Sequence, residues 1–252
     1  VGPLSAPVFL VPTERLAAAG PGDTLLVDGA EGRHAVSVRR LRVGEEVVLT
    51  DGAGNGARTR VAAVEGKDTL HAVVLERTAE PEAPLRLTVV QALPKGDRGE
   101  LAVETMTEVG VDAVVPWSAS RCVTQWRGER AAKSLARWRA SAREAGKQAR
   151  RLRFPTVHEL MTTDQVSELL ATADLGVVLH EEGAAPLATA PLPARGSIVL
   201  VVGPEGGLTE EEVATFAAAG ARPHRLGPSV LRTSTAGVAA AASVFTRTGR
   251  WA

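Results

Sequence analysis

At 252 residues the chain exceeds the roughly 100–200 of a usual single domain, so one large or two smaller folded units are expected. Its 29 Lys and Arg balance 29 Asp and Glu, and a hydrophobic share of 44% is ordinary for a soluble globular protein. A single cysteine, Cys122, excludes an intrachain disulfide and a multi-cysteine metal site, and no apolar run approaches the roughly 20 residues that span a bilayer. Without a basic-then-apolar leader the expectation is a cytoplasmic protein with no membrane partner and no metal. Four Trp, four Phe and no Tyr leave an aliphatic core to be built from Val, Leu and Ala.

Residues 1–76 read as a small β-rich unit, a compact barrel. Strand-like runs at 46–50 and 58–64 flank the turn-rich Asp51-Gly52-Ala53-Gly54-Asn55-Gly56, and 69–75 supplies another strand. Ala35, Val38 and Leu41 at three-residue spacing predict a short helix across that sheet. Residues 77–84, with prolines at 81 and 84, read as a linker. From 85 to 252 strand-like runs at 85–93, 111–116, 174–180, 197–202 and 222–226 alternate with helical stretches near 100–110, 131–150, 164–172, 209–219 and 231–247. That alternation predicts an α/β domain with a mostly parallel sheet.

Charge is segregated despite the neutral total: residues 121–153 hold eleven Lys and Arg against two acids, an excess of nine. In the helix predicted there, Trp138, Ala142, Ala145 and Ala149 form an apolar face, while Arg139, Arg143 and Lys147 recur every four residues as a cationic stripe. Such an excess repels itself and is better explained by binding to phosphates than by a solvated face. Trp117 and Trp126 are candidates to stack on unpaired bases, although a Trp is more often core. Cys122 has no nucleophilic partner in the sequence and reads as structural.

Two glycine-bearing turns stand out. Val202-Gly203-Pro204-Glu205-Gly206-Gly207-Leu208 leaves one predicted strand, and Leu226-Gly227-Pro228-Ser229-Val230-Leu231-Arg232-Thr233 leaves another. Each leads into a helix, and bare backbone there lets a ligand approach closely. Thr209 and Glu212 have capping-box spacing, and Glu210 and Glu211 add acidic charge to the same helix start. That charge argues against a phosphate-binding loop, which needs the positive end of the helix free.

These turns resemble the carboxy-terminal signature of the SPOUT methyltransferases, and most closely the RsmE family. Further matches lie in Pro94-Lys95-Gly96-Asp97-Arg98, Thr107-Glu108-Val109-Gly110-Val111-Asp112, Ser120-Arg121, Arg137-Trp138-Arg139 and Glu144-Ala145, so the resemblance covers nearly the whole chain. It implies a SPOUT-type α/β domain with a C-terminal trefoil knot, preceded by a PUA-like β-barrel that binds RNA. It also implies methylation of uridine 1498 of 16S ribosomal RNA at N3, with S-adenosylmethionine as cofactor and a homodimer as the working form. The substrate would be 16S ribosomal RNA or the assembled small subunit.

The implied cofactor wall comprises Leu179 and His180, then Gly203, Pro204, Glu205 and Gly206, then Leu226, Gly227, Leu231, Arg232, Thr233 and Thr235. Arg232 is the catalytic candidate, because a fixed guanidinium can stabilise the negative charge that spreads over the imide oxygens of uracil. Ser234 stands where the family usually has Glu, which removes an obvious base. Lys95, Arg98 and Arg121 would extend the RNA surface of Arg139, Arg143, Lys147 and Arg150, with Arg39 and Arg40, beside Arg33 and His34, contributing from the barrel. Two alternatives stay open: a related knotted enzyme acting on another position such as a ribose 2′-hydroxyl, and an RNA-binding protein without activity.

Overall fold

In the computed structural model, which describes residues 6–183 and 185–251, the first part of the chain forms a five-stranded sheet. Its strands are β1 (Val8–Leu10), β2 (Thr24–Val27), β3 (Glu46–Thr50), β4 (Asn55–Glu65) and β5 (Thr69–Ala79), in the order β1-β3-β4-β5-β2. β1 runs parallel to β3, and the remaining neighbours are antiparallel. Residues two apart face the same side, so Val47 and Leu49 of β3 and Ala57, Thr59 and Val61 of β4 are all buried. In the turn between β3 and β4, Gly52 and Gly54 take φ of +74° and +103°. Burial alone would raise the Asp51 carboxyl there, but hydrogen bonds from Asn55 and the Ala53 N–H hold it below the usual carboxylate range.

Two short helices, α1 (Thr13–Ala17) and α2 (Gly29–Arg33), accompany the sheet, and α2 runs into a π-helical turn at His34–Val38. The helix expected from Ala35, Val38 and Leu41 is therefore present in altered form. Within that wider turn Ala35 and Val38 no longer share a face, so Ala35 is buried while Val38 is 67% exposed.

This first unit spans Val1–Glu82 and also takes in Gly146–Phe154, for which the sequence offers no signal. The Thr50 hydroxyl donates to the Leu152 carbonyl at 2.9 Å, and the Glu80 carboxylate accepts from the N–H groups of Leu152 and Arg153. Lys147 is only 7% exposed, with Nζ 2.8 Å from Glu31 Oε1. The other Glu31 oxygen accepts from the Leu10 N–H at 3.0 Å.

The second unit spans Ala83–Ala145 and Pro155–Ala252. It is built on a seven-stranded parallel sheet of β6 (Leu85–Ala92), β7 (Ala113–Trp117), β8 (Thr156–Val157), β9 (Leu175–Leu179), β10 (Ala185–Pro186), β11 (Gly196–Val202) and β12 (Arg222–Arg225). The order is β10-β12-β9-β11-β6-β7-β8. Central strands covered on both faces must be apolar throughout, and all of β7 and Ile198 to Val202 of β11 are buried.

Five helices cover this sheet: α3 (Arg98–Val109), α4 (Glu129–Gln148), α5 (Thr163–Ala171), α6 (Glu210–Ala218) and α7 (Thr233–Thr248). α3 stops at Gly110, whose φ of +106° a side chain would oppose. α5 and α6 both start at capping boxes, Thr162 with Gln165 and Thr209 with Glu212. α7 returns to pack on α3, β6 and β11. Gly237 permits that approach, since a Cβ there would sit 2.8 Å from the Met106 sulfur. Gln91 of β6 donates from Nε2 to the Thr233 carbonyl at 3.2 Å, which fixes the start of α7 to the end of the strand. At the far end Arg250 binds the Asp112 carboxylate and stacks 4.4 Å from the Phe245 ring. Among the described residues no helix is long and apolar enough to cross a membrane, and no group of three His, Cys, Asp or Glu could hold a metal ion.

Candidate functional site

The loops that leave β6, β9, β11 and β12 lie at the carboxyl ends of a parallel sheet, where α/β folds place their ligands. They enclose a cavity of about 810 Å³, within the usual size range for a small-molecule site. Leu179 and His180 line it from β9, Gly203, Pro204, Glu205 and Gly206 from β11, and Leu226, Gly227, Leu231, Arg232 and Thr233 from β12. Thr235 departs from the expectation. It sits one turn into α7, outside the wall, and its hydroxyl donates to the Arg232 carbonyl at 3.2 Å.

The two glycine turns differ in kind. After β11 the Gly207 N–H closes a turn on the Pro204 carbonyl at 2.9 Å, with Gly207 at φ +72°. A Cβ on Gly203 would face its own loop, 3.3 Å from Leu208 Cγ, whereas a Cβ on Gly227 would meet nothing within 4 Å. Of the two, Gly227 is the glycine whose missing side chain leaves open space. His180 is held by local bonds: its N–H donates to the His224 carbonyl, and its Nδ1 accepts from the Glu182 N–H at 3.1 Å.

Lys95, Arg98, Arg121 and Arg232 bring positive charge to this cavity. Arg232 is the N-cap residue of α7 and is exposed, so its guanidinium is available to a ligand. Ser234 is 3% exposed and absent from the wall, which takes its hydroxyl out of reach of a substrate. Burial pushes the Cys122 thiol up, so it stays protonated and is no nucleophile. Sequence reasoning missed Glu181, Glu182 and Arg225 in the wall; the Arg225 guanidinium donates to the Gly183 carbonyl at 3.0 Å. Their position just beyond β9 and at the carboxyl end of β12 was the available signal.

The expected RNA-facing residues separate. Arg143, Arg150, Arg39 and Arg40 are exposed, and Arg139 is exposed but has Nη2 2.8 Å from Glu159. Lys147 corrects the stripe, because it is buried and ion-paired to Glu31 and cannot touch phosphate. Trp117 is fully buried, edge-on to Phe216, with Nε1 3.3 Å from the Thr163 hydroxyl, so it is a core residue and no stacking platform. Trp126 is half-buried and packs edge-on against Trp138.

Comparison with known proteins agrees with this geometry. Residues 81–245 match the model of an RNA methyltransferase domain, and residues 27–75 that of an RNA methyltransferase PUA domain. The ribosomal RNA small subunit methyltransferase E of Mycobacterium bovis is 47% identical over 234 residues, covering 91% of this chain and 89% of that protein. The Bacillus subtilis protein of the same name is 32% identical, covering 89% and 91%. Among solved structures, a ribosomal RNA small subunit methyltransferase E from Neisseria gonorrhoeae bound to S-adenosyl methionine superposes with a TM-score of 0.84 at 32% identity, covering 96% of this chain and 98% of that one. A methyltransferase from Legionella pneumophila in complex with the same cofactor superposes with a TM-score of 0.85 at 26% identity, covering 97% and 98%. An RNA methyltransferase domain with its PUA domain, matched along nearly its whole length by relatives of one name, places this chain in the family of ribosomal RNA small subunit methyltransferases E.

Proposed function

We propose that this protein uses S-adenosylmethionine to methylate N3 of uridine 1498 in 16S ribosomal RNA. The observation that carries the reading is the cavity itself: glycine-bearing loops on one side and the exposed Arg232 on its rim. The cofactor fits the residues present, since about 810 Å³ accommodates a nucleoside with an amino-acid tail and Gly227 leaves room where a side chain would intrude. The backbone of 203–208 and 226–233 would hold it, and when bound it supplies an activated methyl group.

The protein's own residues then bind, orient and stabilise. Lys95 and Arg98 hold the RNA backbone near the cavity. Arg232 faces the uracil as N3 loses its proton, and its planar fork matches the charge that develops on the imide oxygens. Fixed positioning of the two reactants contributes much of the acceleration, because Ser234, at the position of the family's usual Glu, is buried away from the cavity. Exposed Val230 and Leu231 beside the cavity support a homodimer, and the likeness to solved relatives of the same family supports the knot. A ribosomal substrate assigns the protein to the cytoplasm, with the first unit as a module for RNA.

The deciding experiment incubates the protein and labelled cofactor with 16S ribosomal RNA and with small subunits, then identifies the modified nucleoside. N3-methyluridine at one position is expected. A 2′-O-methyl product, or no product, would refute the assignment. Gly227→Val tests the cavity: the variant folds, because nothing lies within 4 Å of the new Cβ, but calorimetry should show cofactor affinity reduced at least about 10-fold. Unchanged affinity would mean that the loop after β12 does not form the wall.

Neutralising Arg139 and Arg143 should flatten the salt dependence of RNA binding, since a phosphate that no longer meets a cation keeps its own counterions. Because Arg139 shares its charge with Glu159, Arg143 should account for most of the change. Equal slopes before and after would make this helix face an ordinary solvated one.

A further inference from the structure

The resemblance places Arg121 among the RNA-binding residues, yet its hydrogen bonds point to a different use. Its Nη1 donates to two backbone carbonyls of the loop after β11, Gly206 at 3.1 Å and Leu208 at 3.2 Å. Gly206 is pressed onto the same side chain, since a Cβ there would sit 3.0 Å from Arg121 Cβ. One residue away, the Ser120 N–H donates at 2.7 Å to Glu212, a carboxylate only 2% exposed that also caps α6. Loop 118–124 is thus fastened on one side to loop 203–209 and on the other to the helix start that follows it.

Two more bonds close a ring. Glu205 accepts from the Lys95 N–H at 3.2 Å, and the Thr124 hydroxyl donates to the Pro94 carbonyl at 2.8 Å. Each of the loops at 94–97, 118–124 and 203–209 is bonded to the other two. The Arg121 guanidinium holds the 204–207 turn against loop 118–124, and its fixed planar geometry serves two acceptors from one nitrogen better than a freely rotating ammonium does.

We infer that Arg121 is a positioning residue for the cofactor: although the side chain is exposed, its Nη1 holds the carbonyls of loop 203–209, and its main part is to set the shape of the cavity wall and not to bind phosphate. The inference rests on the reading of this cavity as the S-adenosylmethionine site. It is tested on the full chain with Arg121→Ala and Arg121→Lys, by calorimetry with S-adenosylmethionine and by the salt dependence of binding to a 16S ribosomal RNA fragment. Removing the charged hydrogen bonds to the loop should raise the cofactor Kd by about 10-fold or more in both variants. The salt slope for RNA should equal that of the parent. Arg121→Lys keeps the charge and a near-native surface, so it remains informative where Arg121→Ala does not fold.

Parental cofactor affinity in Arg121→Lys would overturn the inference, as would an Arg121→Ala salt slope shallower by the equivalent of one phosphate with cofactor binding intact. A parent protein that does not bind S-adenosylmethionine would instead remove the proposed function, so the two failures are distinguishable.

Discussion

Arg232→Ala is expected to slow single-turnover methylation by about 10²–10³, the usual cost of removing one donor aimed at charge that develops in the transition state. The fold should persist, because Arg232 is exposed and α7 does not depend on its side chain as a cap. Cofactor affinity should change little, since in the proposed mechanism the side chain acts on the uracil and the backbone holds the cofactor. Arg232→Lys keeps a charge but loses the planar fork, and it should fall between the two. On the proposed mechanism Ser234, buried outside the cavity, does not take the uracil proton, which passes to water. The rate should therefore climb with pH, and Arg232→Ala should need more alkaline conditions than the parent. A variant at position 232 that keeps the parental rate across that range would reduce this arginine to a helix-start residue.

The second large effect concerns stability. Lys147→Ala removes one partner of a buried ion pair and leaves Glu31 uncompensated, a change that typically costs about 3–5 kcal/mol. Glu31 keeps 23% of its side-chain surface in water, so about 3 kcal/mol, the low end of that range, is the better expectation. Replacing both partners by apolar or neutral residues, Lys147→Met with Glu31→Gln, should recover much of the loss. Urea denaturation monitored on the first unit measures both. A loss under about 0.5 kcal/mol for Lys147→Ala would place the residue back with ordinary surface cations.

Those two residues also show what a sequence can and cannot disclose. The place of Arg232 in the cavity wall was legible because its neighbours are local: a glycine turn leaving a strand and a helix start beyond it. The capping box at Thr209 and Glu212, the apolar β11 and the parallel alternation were legible for the same reason. Lys147 was not, because its partner lies 116 residues away and its spacing from Arg139 and Arg143 fits a solvated stripe equally well. Trp117 escapes for the same reason, as its burial depends on Phe216 and Thr163, contributed by other elements. Arg121 shows the limit from another side. Basic residues in a basic stretch look alike until their acceptors are known, and its acceptors are backbone carbonyls of a loop more than eighty residues further on.

Residues 146–154 complete the first unit late in biosynthesis. Domains generally fold as units in the order in which the ribosome releases them. Here the amino-terminal sheet leaves the ribosome well before Lys147, Leu152 and Arg153, which supply its ion pair and its backbone partners. Until the chain has been made past Phe154, that sheet must wait with Glu31 unpaired and the Thr50 and Glu80 groups hydrated. The nascent protein therefore carries an unfinished amino-terminal module through the synthesis of β6, α3, β7 and most of α4, and ribosome-bound chains that stop before Gly146 should be cut by protease within residues 6–82 where chains extended past Phe154 resist.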